Sequence, residues 1–256
     1  MAKIGIIDSG VGGLSVFGEI FRLLPFEDYI YFSDNANCPY GEKEPEFITR
    51  RCTEIVSGMI SEGVQAVVLA CNTATSAAIA SLRESFDIPF VGMEPAVKPA
   101  AQGTKSGVVG VLATKGTLSG AKYLGIKELY GSCVEIVENP GEGFVELVES
   151  GELEGQKAEK TVERSLRPLL DRGADIIVLG CTHYPFLLPV LRKIAGPGVT
   201  FVDPAPSVAR RLVSVLETAG IRTASACGDL SDGGVVAGSR DYRASGPTDI
   251  LDRMKW

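Results

Sequence analysis

Two textures alternate along this chain. Short apolar runs are each followed by a turn of small or polar residues, then by a longer segment with apolar positions every three or four residues. The runs at residues 4–7, 29–33, 64–70 and 89–91 read as strands. Their near-continuous apolar character suits parallel strands covered on both faces. Between them, helices are expected from about Gly13 to Leu24, across residues 44–63 with apolar positions at Phe47, Ile48, Ile55, Val56, Met59 and Ile60, and from Cys71 to about Ser85. A second series begins near Thr104, with strands at 107–113, 134–137, 174–180 and 199–202. Its helices are expected from the 114–117 turn to about Leu129, at 144–150 ending on Gly151, at 154–172, at 186–195 and at 204–219. The helix at 204–219 could cross back to the first series. Residues 241–244 suit an edge strand, 249–256 a terminal helix, and the glycine-rich stretch 229–238 a loop.

The second series echoes the first. The stretch V67-V-L-A-C-N-T-A-T75 ends a strand on Cys71, and I176-I-V-L-G-C-T-H-Y-P185 ends another on Cys181. Aligning these cysteines also aligns Gly63 with Gly173 and Leu69 with Leu179. Ile4-Gly5-Ile6 through Gly12-Gly13-Leu14-Ser15 is echoed by Val109-Gly110-Val111 through Gly116-Thr117-Leu118-Ser119, and Glu94-Pro95-Ala96 by Asp203-Pro204-Ala205. The three matches keep one order at roughly constant offsets of 104–110 residues, which points to a duplicated α/β unit of ordinary domain size. Open α/β sheets bind ligands beyond the carboxyl ends of their strands. Two such units facing across a cleft would present one thiol to each side of a ligand.

Composition narrows the partners. A net charge of −7 disfavours nucleic acid, and no apolar run reaches the roughly 18 residues of a membrane span. A strand follows the first residues at once, so no signal peptide is expected. Six cysteines without dense spacing suggest a cytoplasmic protein with reduced thiols.

The chemistry centres on Cys71 and Cys181. A cysteine acts as nucleophile, base or metal ligand only as thiolate, and the N-terminus of a following helix favours that form. Acyl catalysis would use one of the two. A cysteine phosphatase would need an arginine in the loop after the cysteine, and neither loop has one. Cys71, Cys181 and His183 could supply three metal ligands, but neither cysteine sits in a C-x-x-C pair. Two-base proton transfer uses both thiols: one takes a proton from one face of a carbon, the other delivers a proton to the opposite face. Asp8 beside Cys71 and His183 beside Cys181 could tune them. Asp8 reads equally as a functional carboxylate or a helix N-cap, His183 also as a capping or packing residue, and Tyr40 in the loop 34–41 also as a packing anchor. The turn D8-S-G-V-G-G13 is glycine-rich but a poor phosphate loop, because Asp8 would repel the phosphate. A binding protein with inert thiols is the alternative to an enzyme.

From IGIIDSGVGGLSV through DNANCPYG, ACNTAT, EPAVKPA, GVLATKGT and GCTHYP to VDPAPSVARR, the chain resembles the glutamate racemases of the cofactor-independent aspartate/glutamate racemase superfamily. The aspartate enzymes typically carry Glu where this chain has His183. The resemblance implies that Cys71 deprotonates D-glutamate and Cys181 L-glutamate, that Asp8 assists the first, and that His183 with Glu149 assists the second. It implies substrate binding by Asp8, Ser9, Tyr40, Gly41, Asn72, Thr73, Thr182 and His183, with Thr114 and Thr117 nearby. It also implies no cofactor, a homodimer, a role in supplying D-glutamate for peptidoglycan, and in some members activation by a peptidoglycan precursor, which is left open here. One departure is visible: Asn37 stands where the loop before Pro39-Tyr40-Gly41 often carries Arg. The expected fold is α/β, with two similar flavodoxin-like parallel-sheet domains, residues 1–94 plus 205–256 and residues 95–204. A pseudo-twofold axis relates them, and the active site lies in the cleft between them.

Overall fold

The computed structural model describes residues 1–221, 223 and 238–255. The chain opens with strand β1 (Lys3–Asp8), helix α1 (Leu14–Leu23), β2 (Asp28–Ser33), α2 (Pro45–Ser61), β3 (Ala66–Leu69), α3 (Asn72–Ser85) and β4 (Phe90–Gly92). It continues through α4 (Val97–Gly103), β5 (Val108–Ala113), α5 (Lys115–Leu118), α6 (Ala121–Gly131), β6 (Glu135–Asn139), α7 (Phe144–Ser150), α8 (Gly155–Asp171), β7 (Ile176–Gly180), α9 (Leu188–Ala195) and β8 (Thr200–Val202). Last come α10 (Ala205–Thr218), β9 (Arg240–Ala244) and α11 (Asp249–Met254).

The strands form two parallel sheets, ordered β4-β3-β1-β2-β9 and β6-β5-β7-β8. Apart from the added β9, each sheet places its second strand outside its first and its third and fourth on the other side. The order therefore reverses between β1 and β3 in one sheet and between β5 and β7 in the other, and crevices open at such switch points. Asp8 ends β1, Cys71 follows β3, Thr114 follows β5 and Cys181 follows β7. These four residues thus sit at the two reversals.

Strand alternation decides which helices cover each face. Ile4, Ile6 and Val68 pack with Leu14, Phe17 and Leu212 of α1 and α10, whereas Ile7, Val67 and Leu69 pack with Cys52, Val56 and Ala78 of α2 and α3. In the second sheet, Ile177 and Leu179 meet Leu166, Leu169 and Leu191 of α8 and α9, and Val109, Val111 and Val178 meet α4 and α6 through Ala100 and Tyr123. The first of these clusters runs without a break from one sheet's helices to the other's. Helix α10 does return to pack on α1, and β9 pairs with the outer edge of β2. Gly63 and Gly173, matched in the repeat, both take left-handed backbone (φ 88° and 84°) just beyond α2 and α8, where a side chain would be strained.

Two expected helices differ. The segment after Thr114 breaks into α5 and α6 at Gly120, whose backbone turns extended (ψ 135°) to cap α6; a Cβ there would lie 2.0 Å from Ser76 Oγ of α3, so the position is kept bare. The segment after His183 begins as a 3-10 turn (Tyr184–Leu187) before α9, with Pro185 and Pro189 each at a helix start, where no amide donor is needed. The glycine-rich stretch 229–238 lies, except for Gly238, outside the described residues.

Phe17 is fully buried, with ring centroids of Tyr29, Tyr242, Tyr31 and Phe21 5.0–6.2 Å away. Phe17→Ala is expected to lower unfolding free energy by about 3–5 kcal/mol, the range for emptying an aromatic core position. Leu124→Ala, on the exposed face of α6, should change it by less than about 0.5 kcal/mol. Urea unfolding followed by far-UV circular dichroism distinguishes the two.

Candidate active site

Cys71 is the N-cap of α3: its Sγ accepts from the Ala74 amide at 3.4 Å and lies 3.9 Å from Ser9 Oγ. Cys181 holds the matching place after β7, with its Sγ 3.8 Å from His183 Nδ1. Both thiols are buried and line one small cavity with Ser9, Tyr40, Gly41, Asn72, Thr73, Thr114, Thr117, Thr182 and His183, together with Pro39, Val145 and Gly180. The structure therefore brings together every expected substrate-binding residue except Asp8 in the lining itself. Asp8 and Glu149 stand one layer behind. The cavity offers about 10 Å³ to water-sized groups, room for about one water. An outer cavity of about 200 Å³ shares Pro39, Gly41, Thr114 and Val145 with it, and the exposed Lys115–Glu142 ion pair (2.9 Å) stands at its rim.

The second layer joins the two units. Asp8 is fully buried; its carboxylate accepts from the Gly10 amide (2.9 Å) and from the Thr182 hydroxyl of the other unit (3.1 Å). It does not cap α1, whose N-cap is Gly13, so the capping alternative is set aside. Glu149 Oε1 accepts from the Val11 amide (2.7 Å) and faces His183 Nε2 at 2.6 Å. With both ring nitrogens protonated, His183 donates to Glu149 from Nε2 and toward Cys181 Sγ from Nδ1. It makes no capping bond at the turn that follows. Thr73, Thr114 and Thr117 exchange hydroxyl bonds of 2.9–3.3 Å across the cleft. The Asn72 amide has no hydrogen-bond partner among the described residues, though it is buried and lines the cavity.

Burial works against the helix terminus at Cys71. Desolvation, helped by the nearby Asp8 carboxylate, pushes the thiol well above its ordinary value despite the Ala74 amide. The lowering that a helix N-terminus alone suggests is thus reversed. Burial also raises Asp8, against the pull of His183. For His183 burial favours the neutral ring, but contacts with Cys181, Cys38 and Glu149 outweigh it and raise its pKa well above the usual value.

Sequence alone missed the role of the glycine turn. A Cβ on Gly10 would lie 1.9 Å from Glu149 Oε1, and one on Gly12 2.3 Å from His183 Nδ1. The turn is bare so that the other unit's dyad can lie against it. Cys38 was also unmarked; it falls with Glu149 and His183 in one group whose ligand atoms are within 4.8 Å of one another.

Residues 4–212 match the family model described as Asp/Glu/Hydantoin racemase. The chain belongs to this racemase family. A glutamate racemase of Pseudomonas syringae pv. tomato is 48% identical over 221 residues, covering 86% of this chain and 80% of the relative. The crystal structure of a glutamate racemase isoform from Bacillus anthracis superposes with a TM-score of 0.82 at 31% identity, covering 99% of this chain and 92% of that one. The Escherichia coli glutamate racemase, in complex with L-glutamate and the activator UDP-MurNAc-Ala, gives a TM-score of 0.81 at 33% identity, covering 94% and 97%. The protein is an amino-acid racemase of this family.

Gly12→Ala should drive the imidazole off its place and lower kcat/KM by about a hundredfold, since displacements near 1 Å cost that much in positioned catalysis. Gly125→Ala, where a Cβ meets nothing within 4 Å, should leave kcat/KM unchanged. Racemisation kinetics with a thermal melt of each variant provide the check.

Proposed function

We propose that this racemase interconverts L-glutamate and D-glutamate by two-thiol proton transfer at Cα, without a cofactor. The observation that carries the reading is the pair of buried thiols, Cys71 and Cys181, at equivalent reversals of two like-ordered sheets and on one cavity. One thiolate takes the Cα proton from its face, and the opposite thiol gives a proton to the other face, inverting the centre. Cys71 serves D-glutamate and Cys181 serves L-glutamate. A thiol that burial pushes up is harder to ionise but is the stronger base once ionised, which suits removal of a weakly acidic Cα proton. Asp8 assists on the Cys71 side. On the Cys181 side His183 relays a proton at Nδ1, held in place by Glu149 on Nε2.

The substrate's carboxylates and ammonium meet Ser9, Tyr40, Gly41, Asn72, Thr73, Thr114, Thr117 and Thr182. The Asn72 amide, without a partner among the described residues, supports this, because a buried amide costs free energy until something pairs with it. His183, after the second Cys-Thr, favours glutamate over aspartate. The substrate lies between the two domains, residues 1–94 with 205–256 and residues 95–204. The product supplies cytoplasmic peptidoglycan synthesis, the enzyme works as a homodimer, and the activator bound by the Escherichia coli relative makes a precursor of that kind part of the assay.

In deuterated water, L-glutamate should lose optical activity while gaining deuterium at Cα, with no added cofactor. Cys71→Ser and Cys181→Ser should each slow racemisation by about 10²–10⁴, the usual weight of a positioned acid–base group. Turnover of aspartate alone would move the substrate and keep the mechanism. Absence of Cα exchange with either amino acid, with or without UDP-MurNAc-Ala, would overturn both the substrate and the two-thiol mechanism.

A further inference from the structure

We propose that Arg51 is the positioning residue for the loop that brings Tyr40 and Gly41 to the cavity, acting from helix α2 through the buried carboxylate of Asp34. The inference rests on the glutamate racemase reading for its kinetic test but on geometry for its substance.

Asp34 is fully buried at the start of the loop. Its backbone amide donates to the Asp8 carbonyl at 2.9 Å, which pins it to the tip of β1. Its carboxylate accepts from the Tyr40 hydroxyl at 2.6 Å and from the Asn37 amide at 3.0 and 3.2 Å. These donors are neutral and belong to the loop. The charge comes from outside it: Arg51 Nη2 donates to Oδ1 at 2.8 Å and Nε to Oδ2 at 3.3 Å, a forked pairing. Burial would raise the Asp34 carboxyl, yet Arg51, Tyr40 and Ser245 together bring it below its usual range. The ionised form is therefore the one the loop is built around.

The loop has little slack at its far end. A Cβ on Gly41 would fall 2.9 Å from Thr114 Cβ of the facing unit, so the Gly41 backbone already touches the opposite wall. The Tyr40 ring lines the cavity, and its hydroxyl is tied back to Asp34. Removing the guanidinium leaves a buried carboxylate with neutral partners only. It then takes up a proton or draws water inward, and either change loosens Tyr40. Among the described residues, Arg51 bonds to neither thiol nor any residue lining the cavity, and its one partner besides Asp34 is Glu54 on its own helix. Asn37 already points at both oxygens, so a guanidinium placed at position 37 can replace the one at 51.

The test uses the full chain as wild type, Arg51→Met, Arg51→Lys and the double variant Arg51→Met with Asn37→Arg. For each, racemisation of both enantiomers, a thermal melt, and tryptic cleavage after the exposed Lys43 are measured. Arg51→Met should raise KM about tenfold while kcat falls by less than about threefold, the pattern of lost substrate binding rather than lost chemistry. It should also quicken cleavage after Lys43. Arg51→Lys, which keeps the charge and loses the fork, should lie between. The double variant should return both KM and cleavage rate to near wild type, which general stabilisation of α2 would not do. Unchanged KM in folded Arg51→Met, or a double variant no better than the single, overturns the inference. If Arg51→Met does not fold, Arg51→Lys and the double variant carry the same criteria. If wild type does not turn over glutamate, the substrate assignment fails, and the Lys43 cleavage series alone decides the role of Arg51.

Discussion

One carboxylate oxygen is shared between the two halves of this molecule. Glu149 Oε1 accepts from the Val11 amide at the end of one sheet and meets the His183 ring at the end of the other. The neighbouring contacts of Asp8 with Thr182 and of Ser15 with the Thr182 carbonyl (3.0 Å) run the same way. Buried polar groups are tolerated only when they are satisfied, so these bonds set how closely the units approach. The cavity between the thiols has the width that approach leaves.

The two units repeat one strand order but not one set of side chains. In the repeat, Asp8 falls opposite Ala113, and His183 opposite Thr73. Duplication thus accounts for the pair of thiols, while the unlike neighbours supply a carboxylate on one side and an imidazole on the other. The hydroxyl cluster of Thr73, Thr114 and Thr117 closes the opposite flank with neutral groups. Charge is concentrated behind one edge of the cleft, where burial makes each contact strong.

Much of this was legible in the chain. The strands announced themselves because parallel strands covered on both faces are continuously apolar, and the cysteines because they end two matching runs. The edge strand β9 was visible from Asp241-Tyr242-Arg243-Ala244 despite its charge. Other features depend on partners far away in sequence. The choice of glycine at 120 answers to Ser76, and the turn at Gly10 and Gly12 to side chains well over a hundred positions later. The pairing of Asp34 with Arg51 crosses from a loop to a helix and follows no periodicity. The upward push on the Cys71 thiol needed the burial of the finished fold, which outweighs the helix terminus that sequence does reveal.

The bare backbone at Gly10 and Gly12 ties the history of the two halves together. Each half is a similar parallel sheet, and separate drift or exchange between relatives would be easy if they met only through solvent. A methyl group gained at either glycine would be felt by Glu149 and His183, and a bulkier residue at position 183 would be felt by the turn. Substitutions in one half are therefore screened by the shape of the other. A hybrid joining the first half of one such protein to the second half of another inherits that constraint before any question of chemistry arises.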